Sequence, residues 1–231
     1  MKFRKVIKNA VGKAELYIYG DIVDDSWNMG WENDPSVYPM NIRTLLNEFE
    51  GQDLDVHVNS GGGHFFAGVA ISNMLKAYKG KTTAMIDAVA ASAASIICFG
   101  CNDIVIPANA SLMIHKPEAM EGGTADDLRK CADMLDALQG ASVATYMTKA
   151  VEGVTPEQVD ALINDETWLI GAEAQQYFNV QVAEAVPVLN CTGKILNHWS
   201  KLPAAFKEPA KPENQDREVL KQEIEIALAI I

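Results

Sequence analysis

Ser92 stands in Ala88-Val89-Ala90-Ala91-Ser92-Ala93-Ala94-Ser95, a stretch of small side chains. Between a strand and a helix, its hydroxyl would face the positive end of a helix dipole, which favours an alkoxide and a developing oxyanion. Tight helix packing, with Ser92 or Ser95 as a cap, accounts for the same residues equally well. His115 ends the apolar run Met113-Ile114-His115 and has the chemistry of a general base, although a histidine so placed is more often a satisfied core residue. Asp165 and Glu166 are two acids that precede Thr167-Trp168 at a junction of elements. Acids at such a junction are usually solvated surface. Gly61-Gly62-Gly63 follows Asn59-Ser60, and neither Gly-Lys-Ser/Thr nor G-x-G-x-x-G accompanies it, so a phosphate cradle is not indicated. What remains is a plain tight turn, or a pair of free amides for an oxyanion or a peptide carbonyl.

Cys98 and Cys101 form a C-x-x-C, a spacing used by redox and zinc sites. Cys131 and Cys191 stand apart and supply no second ligand pair. The apolar surroundings Ile96-Ile97-Cys98-Phe99 favour reduced core thiols, so no metal and no cofactor are expected.

The elements that must position these groups alternate. Residues 16–22, 55–59, 82–87, 103–107, 110–114 and 180–185 read as strands. Helical spacing covers 41–50, a segment from Phe65 through Leu75, 90–99, 124–149 and a short piece at 172–177. Thr155-Pro156 opens another helix, with the threonine as cap and the proline at the first helical position. Residues 24–39, with Trp27 and Trp31, show no periodicity and read as a long functional or mobile loop. Strands alternating with helices predict an α/β domain over 1–188. Residues 189–231 change texture, with a Pro/Ala/Lys linker and an amphipathic helix or a frayed tail over 218–231.

The chain has 231 residues, 48% hydrophobic and 22% charged, with a net charge of −12. That acidity disfavours nucleic acid and anionic membrane as partners. No apolar run reaches the roughly 18 residues of a membrane span, and no apolar h-region follows the basic start, so a cytoplasmic protein is expected.

Taken together and in order, these motifs resemble the proteolytic subunit of the Clp protease. Asn59-Ser60-Gly61-Gly62-Gly63 is similar to that family's Asn-Ser-Pro-Gly-Gly, and Ala90-Ala91-Ser92 to the segment around its nucleophile. Met113-Ile114-His115-Lys116-Pro117 is similar to its Met-Ile-His-x-Pro, and Gly122-Gly123-Thr124-Ala125-Asp126 to the opening of its handle helix. Glu166-Thr167-Trp168-Leu169 and Ala172-Glu173-Ala174 are similar to the region of its third triad member. The resemblance spans about residues 14–186. It implies the Clp protease/crotonase-like spiral of β-β-α units and a serine endopeptidase. Ser92 would be the nucleophile, His115 its base, and the amides of Gly63 and Ala93 the oxyanion hole. Three positions depart from the pattern. Gly61 replaces a proline, Ala93-Ala94 replaces Met-Gly, and Glu166 stands where the family has aspartate, with Asp165 adjacent as the alternative acid. Such Glu-Thr-Trp variants resemble the Clp-like proteases of phages and prophages, which process capsid proteins.

The resemblance further implies protein or peptide substrates, a homo-oligomer of stacked rings joined through the 124–149 helix, and an AAA+ ATPase unfoldase as partner. Two other readings stand beside it. One is a catalytically impaired assembly or scaffolding homologue. The other is a crotonase-fold acyl-CoA enzyme, which would show acid/base carboxylates near the second turn.

Overall fold

The computed structural model describes residues 6–8, 14–31, 34–185 and 201. Period-two patterning builds its central layer. In β2 (Ala14–Tyr19), β3 (Leu54–Ser60) and β4 (Thr82–Ala91) the alternate residues Leu16, Ile18, Val56, Val58, Ala84 and Ile86 are buried. These face helices α1 (Pro39–Glu48), α2 (Phe65–Lys76) and α3 (Ala93–Cys98), whose Ile42, Leu46, Ile71, Leu75 and Ile97 complete the core. The opposite face of the same strands is half-buried and polar. There Tyr19 Oη donates to Asp87 at 2.6 Å, His57 Nδ1 lies 3.0 Å from both Asp87 oxygens, and Tyr17 stacks on His57.

Strands β2, β3 and β4 lie side by side in parallel, followed by β5 (Asp103–Pro107) and β8 (Gln181–Ala183). Strand β1 (Val6–Lys8) adds antiparallel to β2. Strand β4 has two partners in succession. Thr83–Met85 pair with β5, and Val89–Ala91 pair with β6 (Ser111–Ile114), which in turn holds β7 (Thr167–Ile170) antiparallel. The register between β3 and β4 shifts after Val58, from Val58–Ile86 to Ser60–Ala90, so β4 carries extra residues there and bends its end towards the glycine turn. Helix α4 (Ala125–Met147) and helix α5 (Pro156–Asn164) each begin with a capping box, Thr124 with Asp127 and Thr155 with Gln158.

Several expectations move. Strand β4 runs on to Ala91, so the small-residue helix starts at Ala93 instead of Ala90; alanines and valine fit either state, and pairing with β6 decides it. The first strand ends at Tyr19, and Ile22 makes only isolated bridges, to Val37 and Gly63. The aperiodic 24–39 loop includes a 3-10 turn at Asp25–Trp27, whose N-terminus Asp24 caps. Cys98 and Cys101 are free and buried, and burial pushes both thiols up, Cys101 to about 12. A thiol held protonated in this way is an inert core residue. The linker and amphipathic helix expected over 189–231 lie outside the described residues apart from Lys201, as does Cys191. No helix among the described residues is long and apolar enough to cross a membrane.

Candidate active site

Ser92 occupies the single position between β4 and α3, with φ 55° and ψ −123°. Positive φ is costly for a side chain with a Cβ, on the order of 1–3 kcal/mol, and persists only where the surroundings impose it. Here they do. The Ser92 N–H donates to Met113 O at 3.0 Å, and its carbonyl oxygen accepts from Ser95 N at 3.0 Å and Ile96 N at 3.3 Å. The sharp turn lifts the hydroxyl out of the strand. Because β4 and β6 are parallel with Ala91 opposite Met113, Ser92 and His115 leave neighbouring strands at the same end. His115 Nε2 lies 2.7 Å from Ser92 Oγ, a hydrogen bond of the length needed for proton transfer.

The glycine turn closes over this pair. Gly62 has φ 101°, and a methyl group on it would lie 2.6 Å from Ser92 Cβ and 2.7 Å from Ala91 O. Gly63, at φ 141°, is pressed still more closely to Ile22, whose carbonyl oxygen would lie 2.1 Å from an added methyl. Ile22, beyond the end of β2, fixes both flanks, its N–H donating to Gly62 O at 2.9 Å and its carbonyl oxygen accepting from His64 N at 2.8 Å. Among the described residues no acceptor takes the N–H of Gly63 or of Ala93. Gly63 and Ala93, and Ser92 and His115 with them, line one cavity of about 730 Å³. Two amide donors beside a serine hydroxyl are chemically able to stabilise negative charge on a carbonyl oxygen.

The two candidate acids sit just before β7. Its antiparallel register pairs Thr167 with Ile114, so Glu166 and His115 are the next residues beyond that pair on their strands. Glu166 takes a positive φ of 49°, and one of its carboxylate oxygens accepts from Lys201 N at 2.8 Å. Asp165 is the exposed C-cap of α5, and its backbone oxygen accepts from Lys201 Nζ.

Residues 36–181 match the model of the family described as Clp protease. This chain belongs to the Clp protease family. It is 30% identical over 128 residues to the ATP-dependent Clp protease proteolytic subunit 3 of Rhodococcus jostii, covering 54% of this chain and 62% of that one. A subunit 3 of Streptomyces coelicolor is 29% identical, over 54% of this chain and 58% of its own length. The matched stretch therefore spans about three-fifths of these relatives. Among solved structures, a ClpP1 mutant from Listeria monocytogenes superposes with a TM-score of 0.60 at 20% identity, covering 74% of this chain and 91% of that one. The fold is thus the Clp protease α/β fold, as the motif order implied, and the family match removes the ground for the acyl-CoA reading.

The Clp-type cavity also contains residues that the motifs did not reveal. Phe65, Phe66 and Ile96, with Met134, Leu135 and Leu138 of α4, supply apolar wall, and Asp21, His64 and Glu118 supply polar lining. His64 caps α2, its Nδ1 accepting from Ala67 N at 3.3 Å. Helical spacing marks Met134 and Leu138 as one apolar stripe, but nothing local says that it faces Ser92. Tyr146 lines the same cavity from the far end of α4.

Proposed function

We propose that this chain is a serine endopeptidase in which Ser92 is the nucleophile, His115 the general base and Glu166 the orienting acid. The observation that carries the reading is the 2.7 Å contact of Ser92 Oγ with His115 Nε2, beside two amides that no acceptor takes among the described residues. In the forward step Ser92 Oγ bonds to the scissile carbonyl carbon while its proton passes to His115 Nε2. The carbonyl oxygen takes the negative charge and accepts from the Gly63 and Ala93 N–H groups. His115 then returns the proton to the leaving amine as the C–N bond breaks, giving an acyl-enzyme. Water, deprotonated by the same imidazole, releases the acid product and restores Ser92. The apolar walls from α2, α3 and α4 suit an extended peptide with an apolar side chain next to the cleaved bond.

Membership of the family supports peptide or protein substrates, assembly of copies into stacked rings and delivery of unfolded chains by an AAA+ unfoldase as parts of the same proposal. Glu166 in place of aspartate and the loop bearing Trp27 and Trp31, 69% and 75% exposed, support the phage-type, capsid-processing branch.

Incubation with a fluorophosphonate probe tests the nucleophile. The adduct is expected on Ser92, with labelling abolished in Ser92→Ala and slowed by orders of magnitude in His115→Ala. Label on Ser95 would sink the assignment. A folded protein that takes no label at all would support the scaffolding alternative instead.

A further inference from the structure

Ser95 and Tyr146 take no part in the bond-making steps, yet both are buried, at 0% and 1% exposure. The Ser95 hydroxyl donates to the Ser92 carbonyl oxygen at 2.6 Å. That uses its only proton, so in the 2.7 Å contact between Ser95 Oγ and Tyr146 Oη the phenol must be the donor. The two bonds form a directed chain from Tyr146 O–H to Ser95 Oγ, and from Ser95 O–H to the Ser92 carbonyl. The phenol is held in place by Phe99, edge-on at 4.9 Å between ring centroids, and by Phe178 at 6.1 Å. Its burial raises the Tyr146 pKa well above the ordinary tyrosine value, so it stays protonated and able to donate.

The Ser92 carbonyl and the Ala93 N–H are the two ends of one planar trans peptide, and they point in opposite directions. The oxygen already accepts from the Ser95 and Ile96 N–H groups, and the shorter Ser95 hydroxyl bond adds a third anchor that helps aim the hydrogen on the other side. The anchored peptide adjoins the strained φ of Ser92, where a small rotation would swing the amide away from the cavity. Successive hydrogen bonds also polarise one another, which makes the Ala93 N–H a stronger donor. We propose that Ser95 and Tyr146 are positioning residues for the oxyanion hole, acting on the Ala93 N–H through the Ser92 carbonyl and tying it to α4. The inference rests on Ser92 being the nucleophile.

Tyr146→Phe and Ser95→Ala each delete one oxygen and leave the rest of the side chain's packing in place. The measurements are kcat and KM on a short apolar peptide, and affinities for two inhibitors. One is a peptide boronate, whose tetrahedral Ser92 adduct places an oxygen in the hole. The other is a reduced-amide peptide, which has no carbonyl to place there. In each variant kcat and boronate affinity should fall together by about tenfold, less than the roughly 10²–10³ seen when an oxyanion donor is removed outright. KM and reduced-amide affinity should hold. Because Tyr146 acts through Ser95, the double variant should be no worse than Ser95→Ala alone. Unchanged kcat and boronate affinity per folded molecule would overturn the inference, as would a parallel fall in all four readouts or a double variant equal to the product of the singles. Failure of the wild type to bind boronate would overturn the nucleophile reading and this inference with it.

Discussion

The conformation of Ser92 is possible only because Gly62 has no side chain. Their backbones meet so closely that an added methyl would sit 2.6 Å from Ser92 Cβ, and Gly62 also needs its φ of 101°. Gly62→Ala should therefore cost about 3 kcal/mol, adding overpacking to backbone strain, and lower kcat of the folded fraction at least about tenfold. Gly122→Ala is the control: nothing lies within 4 Å of its added methyl, and its stability should stay within about 0.5 kcal/mol. Denaturant melts of the two variants check the pair, and equal midpoints would show that the turn relaxes. At this scale neither Ser92 nor His115 stands out by its local pattern, since helix packing and a core histidine fit those patterns as well, and only the order of several motifs along the chain marks the two as candidates. The Ser95–Tyr146 bond could not be read from sequence, since 51 residues separate its partners and either residue alone resembles ordinary core.

At the scale of elements, short segments place the two candidate acids. Strand β7 has four residues, and its pairing of Thr167 with Ile114 brings the Asp165-Glu166 corner alongside His115. The register favours Glu166, which leaves the strand pair opposite His115, while Asp165 is the exposed end of α5. Lys201 N donates to one Glu166 oxygen, and a carboxylate has a second oxygen with which to hold an imidazole N–H. Glu166→Gln should then lower kcat on a small peptide by about 10³–10⁴, as loss of a triad carboxylate does elsewhere, with Asp165→Asn near neutral. The reverse pattern would move the role to Asp165, and full activity in both would leave a Ser-His dyad. Sequence favours Glu166 by its place in the motif and keeps Asp165 as the alternative, because a shift of one residue at a helix end exchanges them. The same limit explains β4. Its Val89–Ala91 segment has no periodicity of its own, and only the pairing with β6 makes it strand. By contrast the Thr155-Pro156 start of α5 was legible, because capping chemistry is local.

Helix α4 links the site to the whole molecule. Its 23 residues run about 35 Å, yet its only buried residues, Ser142 and Tyr146, lie in its last two turns. No residue from 121 to 136 is buried, and Leu128 and Met134 are 47% and 43% exposed. Leu128, Cys131, Leu135 and Leu138 recur at helical spacing, so one apolar stripe leads from the cavity wall outward along the helix. A stripe left half-exposed by its own chain is material for an interface between copies. Assembly through α4 would cover Leu128 and steady the part of the helix that carries Met134 and Leu138 into the cavity. Leu128→Glu places a charge on the stripe without touching the protomer core, so the thermal stability of the protomer should change little. Light scattering should show wild-type protein as a large homo-oligomer at micromolar concentration and the variant as smaller species. Labelling of Ser92 by the probe should slow in step with that loss of mass, and recover partly as protein concentration is raised. A monodisperse wild-type monomer would refute assembly through this helix, and an assembled but slow Leu128→Glu would place the interface elsewhere.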